Sequence, residues 1–201
     1  MRRILSTIFL LLALFYLFGC PRSPSPSFFA GKDCSSDRFE HTIPIRVDQN
    51  FFGWEKFEIQ SAVAEWNLAL NGNIKLKIVS ENFDMDPDQI IETISRSGWL
   101  FLKINEDSYL IPSPSTLAFT NDLSGYYLYA IDGRYSESSF RGIIRHEIGH
   151  LLGAEHDVDG LMFPGYDFVK FECIDQRTIL QISIRHQINP PCLSYCFHPE
   201  D

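Results

Sequence analysis

Positive charge is scarce in this sequence. Lys and Arg number 17 against 26 Asp and Glu, which gives a formal charge of −9 and an isoelectric point near 5.1. No broad cationic surface is left to neutralise phosphates, so nucleic acid is excluded as a partner class. The apolar stretch at the start, Ile4 to Phe18 apart from Ser6 and Thr7, falls short of the ~20 apolar residues that a membrane-spanning helix needs. A permanent transmembrane anchor is the weaker reading of it. Cysteines are few, and only Cys192 and Cys196 are closely spaced; without a second close pair, a cysteine-built zinc site is the weaker reading too. A chain of 201 residues, 45% of them hydrophobic, has room for one domain of ordinary size and little for a second, and is expected to act as a monomer.

What the N-terminus does contain is an export pattern: Met1, Arg2 and Arg3 supply a positive start, and the uncharged apolar stretch follows. It ends in Leu17-Phe18-Gly19-Cys20, which resembles the lipobox of bacterial lipoprotein signals. The resemblance implies removal of residues 1–19, lipidation of Cys20, and an exported protein anchored to a membrane of the cell envelope or surface. A plain secretory signal is the alternative. Pro21 to Ser27 is dominated by Pro and Ser and suits a semi-extended spacer, so residues 20–40 read as a tether and 41–201 as the folded domain. Cys34, Cys173, Cys192 and Cys196 remain, an even number in an oxidising compartment, and read as two disulfides with three possible connectivities.

Hydrophobic periodicity predicts an α+β fold. Thr42 to Val47 alternates as a strand, with Pro44 suggesting an edge position. Ile59, Ala62, Val63, Trp66 and Leu70 form the stripe of a helix from Glu55 to Leu70, ended by Asn71-Gly72-Asn73. Strands follow at Ile74 to Val79, Trp99 to Ile104, Thr116 to Thr120 and Tyr126 to Ile131, making a sheet of about five strands. Between them Asp84, Asp86 and Asp88 alternate as in a calcium loop, but Gln89 stands where glycine is required and the closing glutamate is missing. Calcium therefore has no support. Ser136 caps a helix whose stripe is Phe140, Ile144, Ile148, Leu151 and Leu152 and which stops at Gly153; a C-terminal helix with Ile179, Leu180, Ile182 and Ile184 follows Asp175.

The chemistry lies on the helix after Ser136. His146 and His150 stand four residues apart, on one helix face, so their nitrogens can converge on one metal ion. Glu147 lies beside them as a base that need not fill the coordination site. Gly153 allows a sharp turn, after which His156 can return as a third ligand. Three protein ligands leave one position open, as in a catalytic zinc site.

The run HEIGHLLGAEHD from His146 to Asp157 resembles the long zinc motif of the metzincin peptidases, with every fixed letter present. Gly160-Leu161-Met162-Phe163-Pro164-Gly165-Tyr166 is similar to the methionine turn of their matrixin branch. The resemblance covers roughly Thr42 to His186, though only His146 to Tyr166 is motif-grade. It implies a metzincin-like domain with a twisted mixed sheet, an active-site helix and a C-terminal helix. It further implies one catalytic zinc, Glu147 as base, Met162 beneath the metal, and hydrolysis of peptide bonds in extended protein substrates. Leu117, Ala118 and Phe119 become the edge strand that binds substrate, and Phe163, Pro164 and Tyr166 its pocket. Phe163, Tyr166, Phe168, Val169 and Phe171 make that pocket apolar, so cleavage before hydrophobic residues is expected. Two departures leave the branch open: Asp157 where matrixins carry serine, and a short span from His156 to Met162; Pro164 stands where astacin-like and serralysin-like relatives place a tyrosine ligand, so no tyrosine ligand is expected. His41, His186 and His198 are too scattered to form a second zinc site.

A rival from another class is a membrane-tethered adhesin on the same fold without proteolysis; the non-ligating acid Glu147 argues against it. Cys34 as a thiolate cap on the zinc is a lesser alternative, since Asp33-Cys34-Ser35-Ser36 lacks a latency motif. For the anchor, Cys20→Ser is expected to move the protein out of the membrane fraction and remove the lipid mass from its N-terminus. An unchanged partition and mass would overturn the lipoprotein assignment.

Overall fold

Alternation from His41 onward does form a strand, and the helix after it packs back over the sheet. In the computed structural model, residues 41–70, 73–83, 98–120, 126–166, 171 and 173–188 are described. They form β1 (His41–Asp48), α1 (Gly53–Leu70), β2 (Ile74–Phe83), β3 (Trp99–Ile104), β4 (Ala118–Thr120), β5 (Tyr127–Ile131), α2 (Glu137–Leu151) and α3 (Gln176–His186). The fold is α+β, with a five-stranded sheet in the order β2-β1-β3-β5-β4. Pairing is parallel throughout except between β4 and β5, which run antiparallel.

This order follows from which strands are apolar on both sides. Every residue of β3 and β5 is buried, which requires cover on both faces of the sheet. On one face Phe101, Leu128 and Ala130 join the core with Ile59, Trp66, Phe140 and Ile144 from α1 and α2. On the other, Leu100, Leu102, Tyr127 and Tyr129 are covered by Leu110, Ile111 and Phe119. The alternation of neighbours between faces is the two-residue period of a strand.

Two strand expectations meet a different outcome, the C-terminal helix forms as expected, and further readings fall outside the described residues. Pro44 does not mark an edge strand, because β1 is flanked by both β2 and β3. Its residue is tolerated because the β3 ladder begins only at Ile45, opposite Trp99, and Gly98, at φ +103, lets the chain pass close to Pro44. β2 runs on to Phe83, past the predicted Val79, since its partner β1 continues to Asp48. In α3 only part of the apolar set turns inward: Ile179 and Ile182 are buried, whereas Leu180 and Ile184 are 49% and 70% exposed. The aspartates at 84, 86 and 88, and Cys20, Cys34, Cys192 and Cys196, lie outside the described residues. Cys173 is disulfide-bonded.

Charge is buried at one place in the sheet. Lys103, on β3, places its Nζ 3.1 Å from Glu55 Oε1 and 3.0 Å from Asp132 Oδ1, and 3.7 Å from the Phe52 ring centre. Tyr135 donates its hydroxyl to Glu55 Oε1 at 2.7 Å. Burial, and then that bond to Glu55, push the Tyr135 phenol well above its ordinary pKa. Asp48 accepts the backbone N–H groups of Asn50 and Lys103. Each carboxylate is thus held by donors that a folded chain alone brings together. Removing one partner from such a buried pair costs about 3–5 kcal/mol, against ~0–1 kcal/mol for exposed pairs. Lys103→Met is therefore expected to lower the unfolding free energy in urea by about 3–5 kcal/mol. The exposed Arg177, 4.0 Å from Asp157, is expected to lose less than ~1 kcal/mol as Arg177→Ala. Equal effects of the two would refute this ranking.

Candidate metal centre

Helix α2 owes its placement to an apolar stripe. Phe140, Ile144 and Ile148 are fully buried in the main core, and at 3.6 residues per turn this directs His146 and His150 to a neighbouring face, one turn apart. The N-terminal turn is closed by the Ser136 N–H, which donates to Ser139 Oγ at 2.9 Å. The helix is tied to α1 by Trp66, whose Nε1–H donates to the Arg145 carbonyl at 3.1 Å, and by ion pairs of Arg141 with Glu58 and Arg145 with Glu65.

After Leu151 the chain reverses. Gly153 adopts φ +88, a conformation that a side chain would strain. Its N–H bonds to the His150 carbonyl at 2.8 Å, and the Ala154 N–H to that of Gly149 at 2.9 Å. This turn brings His156 back to the helix, where Asp157 N–H donates to the Met162 carbonyl at 2.8 Å. His146, His150 and His156 then offer ring nitrogens that all lie within 4.8 Å of one another. His150 Nε2 is 3.1 Å from both His146 Nε2 and His156 Nε2.

The protonation pattern says what such a cluster requires. His146 Nδ1 lies 2.6 Å from the Leu161 carbonyl and His150 Nδ1 lies 2.9 Å from that of Ala154. A carbonyl only accepts, so both Nδ1 atoms carry the proton and, in the neutral rings, both Nε2 atoms present bare lone pairs. Burial pushes the His146 pKa down to about 4, against the opposing pull of the Leu161 bond, and His150 and His156 lower it further. His146 is therefore neutral at pH 7. Lone pairs 3.1 Å apart repel unless a cation stands between them. Two nitrogens at ~2.05 Å from one zinc ion, at a tetrahedral angle, are roughly 3.3 Å apart. The histidines fit a zinc ion, and both carbonyl bonds are the kind of outer contact that orients metal-ligating imidazoles.

Further residues hold this arrangement. Leu161 and Met162 are fully buried, and the Leu161 N–H donates to Asp175 Oδ2 at 2.8 Å. Asp175 is the N-cap of α3 as well, accepting from the N–H groups of Arg177 and Thr178, so one carboxylate joins the end of α3 to the strap that orients His146. Met162 lies directly under α2: a Cβ on Gly149 would fall 2.6 Å from its sulfur. Phe171 stacks on the His146 ring, with centres 4.8 Å apart at 14°, and its carbonyl accepts from Arg145 Nη1 at 2.8 Å. Arg145 and Asp175 were not singled out from sequence as site residues. The only signal was a cation inside an otherwise buried helix segment and an aspartate at a helix start.

The histidines open into a cleft of about 1120 Å³. Glu147, 6% exposed, lines it beside them, as do Leu117, Ala118 and Phe119 on the opposite wall. Pro164, Tyr166, Phe171 and Ile143 line the end next to His146. Phe163 does not join them; it packs against the main core instead, which sits under the strap that carries it. Phe168 and Val169 lie outside the described residues. His186, set aside in the sequence as one of three scattered histidines, lines the cleft with its Nε2 2.7 Å from the Leu152 carbonyl. Comparison with protein-family profiles and with curated proteins gave no match.

The protein is expected to bind one zinc per chain by metal analysis. His156→Ala should lower the zinc affinity sharply while leaving the fold intact. Gly149→Ala should force Met162 away and destabilise the chain by about 1–3 kcal/mol through overpacking. Undiminished zinc binding in His156→Ala would remove it from the ligand set.

Proposed function

We propose that this chain is a zinc-dependent endopeptidase of the metzincin type, acting on extended segments of protein. The observation that carries the reading is the convergence of three imidazoles, two from α2 and one from the chain beyond it, beside the buried Glu147, all lining one open cleft. When bound, zinc supplies Lewis acidity, polarising a carbonyl and lowering the pKa of water toward ~7. In this reading Glu147 takes the proton from the attacking water and returns it to the departing amine, as a general base and then acid. The cleft's opposite wall ends in β4, an edge strand of the sheet, whose open side suits pairing with an extended peptide backbone. Ile143, Phe171, Tyr166 and Pro164 favour an apolar side chain on the far side of the cut bond. The export pattern and Cys20 support action outside the cytoplasm, from a lipid anchor on a bacterial membrane.

The test is digestion of an unstructured protein and profiling of the cut sites. Cuts are expected before Leu, Ile or Phe, and Glu147→Ala is expected to lose about 10²–10⁴-fold in rate while retaining zinc. A fully active Glu147→Ala variant would overturn the mechanism. An intact, zinc-loaded protein that cuts nothing would favour the adhesin. A dominant Asp, Glu, Lys or Arg after the cut would show that the apolar end of the cleft is not the pocket.

A further inference from the structure

The cleft wall opposite the histidines begins before β4. Ser113, Ser115, Thr116 and Leu117 line it, in a stretch that belongs to no strand. β4 itself is only three residues, Ala118–Thr120, paired with β5 from Ala130 to Leu128. So short an edge strand has few ladder bonds to fix its height or register. One backbone bond extends the ladder upstream, from the Ile131 N–H to the Leu117 carbonyl at 3.0 Å.

What holds the rest is a side chain. Past β5 the chain turns at Asp132-Gly133, with Gly133 at φ +76, its N–H on Asp132 Oδ1, and the Arg134 N–H on the Ile131 carbonyl. Arg134 then reaches back over the wall. Its Nη1 donates to the carbonyls of Pro114 at 2.9 Å and Thr116 at 3.1 Å, with that of Ser113 at 3.4 Å. Nη2 donates to the Glu106 carbonyl at 3.3 Å. The two short bonds carry most of the interaction and the longer pair flanks them. Among the described residues, the guanidinium is engaged with backbone carbonyls rather than with a carboxylate. Carbonyls gathered this closely repel one another, and a rigid planar cation with several donors offsets that repulsion in a way a lysine point charge cannot.

We infer that Arg134 is a positioning residue for substrate: it holds the wall from Ser113 to Thr116 at the height from which an extended peptide pairs with the open edge of β4. The inference rests on the peptidase reading. It places Arg134 in binding and outside the chemistry, since its bonds reach the wall and none reaches the histidines or Glu147.

The experiment compares Arg134→Ala and Arg134→Lys with the parent chain, using a quenched fluorescent peptide long enough to span the cleft and carrying a central Leu. Zinc content and thermal midpoint are read first. In the parent background KM is expected to rise about tenfold with kcat within about twofold, Lys rescuing little because it lacks the planar fork. In a Glu147→Ala background, the dissociation constant of the same peptide should rise by a similar factor, read by fluorescence anisotropy. An unchanged KM and dissociation constant would overturn the inference, as would a joint fall of kcat and zinc content, or failure of both variants to fold. Those results would make Arg134 a support of the fold or the metal centre only. A parent chain that binds the peptide, more weakly in the Arg134 variants, but never cleaves it would sink the peptidase reading and leave the role of Arg134 standing. A parent chain that does not bind the peptide would sink both.

Discussion

Everything at the candidate metal centre depends on which nitrogen of His146 carries its proton. The Leu161 carbonyl takes the Nδ1–H, and only then does Nε2 face the other two histidines as a lone pair. A backbone carbonyl is a stiff acceptor whose place is set by the strap on either side of it. That strap is pinned at Leu161 by Asp175, beneath α2 by Met162 against Gly149, and at Asp157 by the Met162 carbonyl. An imidazole held by so many contacts loses little freedom on binding a metal, which is how outer contacts raise metal affinity.

Burial differs among the three histidines. His146 is buried, His150 half-buried and His156 exposed. Protonating the buried His146 would place a charge where little water can solvate it, so its ring stays neutral and its lone pair free to meet a cation, while His156 closes the set from the surface. The buried pair of Lys103 and Glu55 follows different logic. It joins β3 to the start of α1, and its worth lies in leaving no carboxylate of that group without a donor.

The cleft is assembled from two kinds of structure. Its floor is a helix locked to α1 by Trp66 and by paired charges. Its opposite wall is a three-residue strand and an irregular stretch held largely by one arginine. On the proposed peptidase reading, a floor tied to α1 and a braced wall would suit a site in which an extended chain is read along its backbone.

Much of this was legible in the sequence. The strands, the stripe Ile59, Ala62, Val63, Trp66 and Leu70, the cap at Ser136, the turn at Gly153 and the trio His146, His150 and His156 all rest on local rules: strand alternation, the helical period, and the backbone freedom of glycine. Those rules act within a few residues, so a short window reveals them. What the tertiary structure alone decided are the pairings across long separations. Pro44 reads as an edge residue until the starting point of the β3 ladder is known. Which side of α3 turns inward, Ile179 and Ile182 rather than Leu180 and Ile184, is decided only when the helix is docked. Phe163 packs against the core and Phe171 on the face of His146, placements that depend on contacts with distant parts of the chain. Arg134 has no motif at all. Its role exists only because the turn at Gly133 brings its guanidinium to carbonyls that lie about 20 residues earlier in the chain. Periodicity states which side chains must be hidden, whereas the partner of a buried polar group is set by where distant backbone finishes, and that is fixed only by the packing of the whole domain.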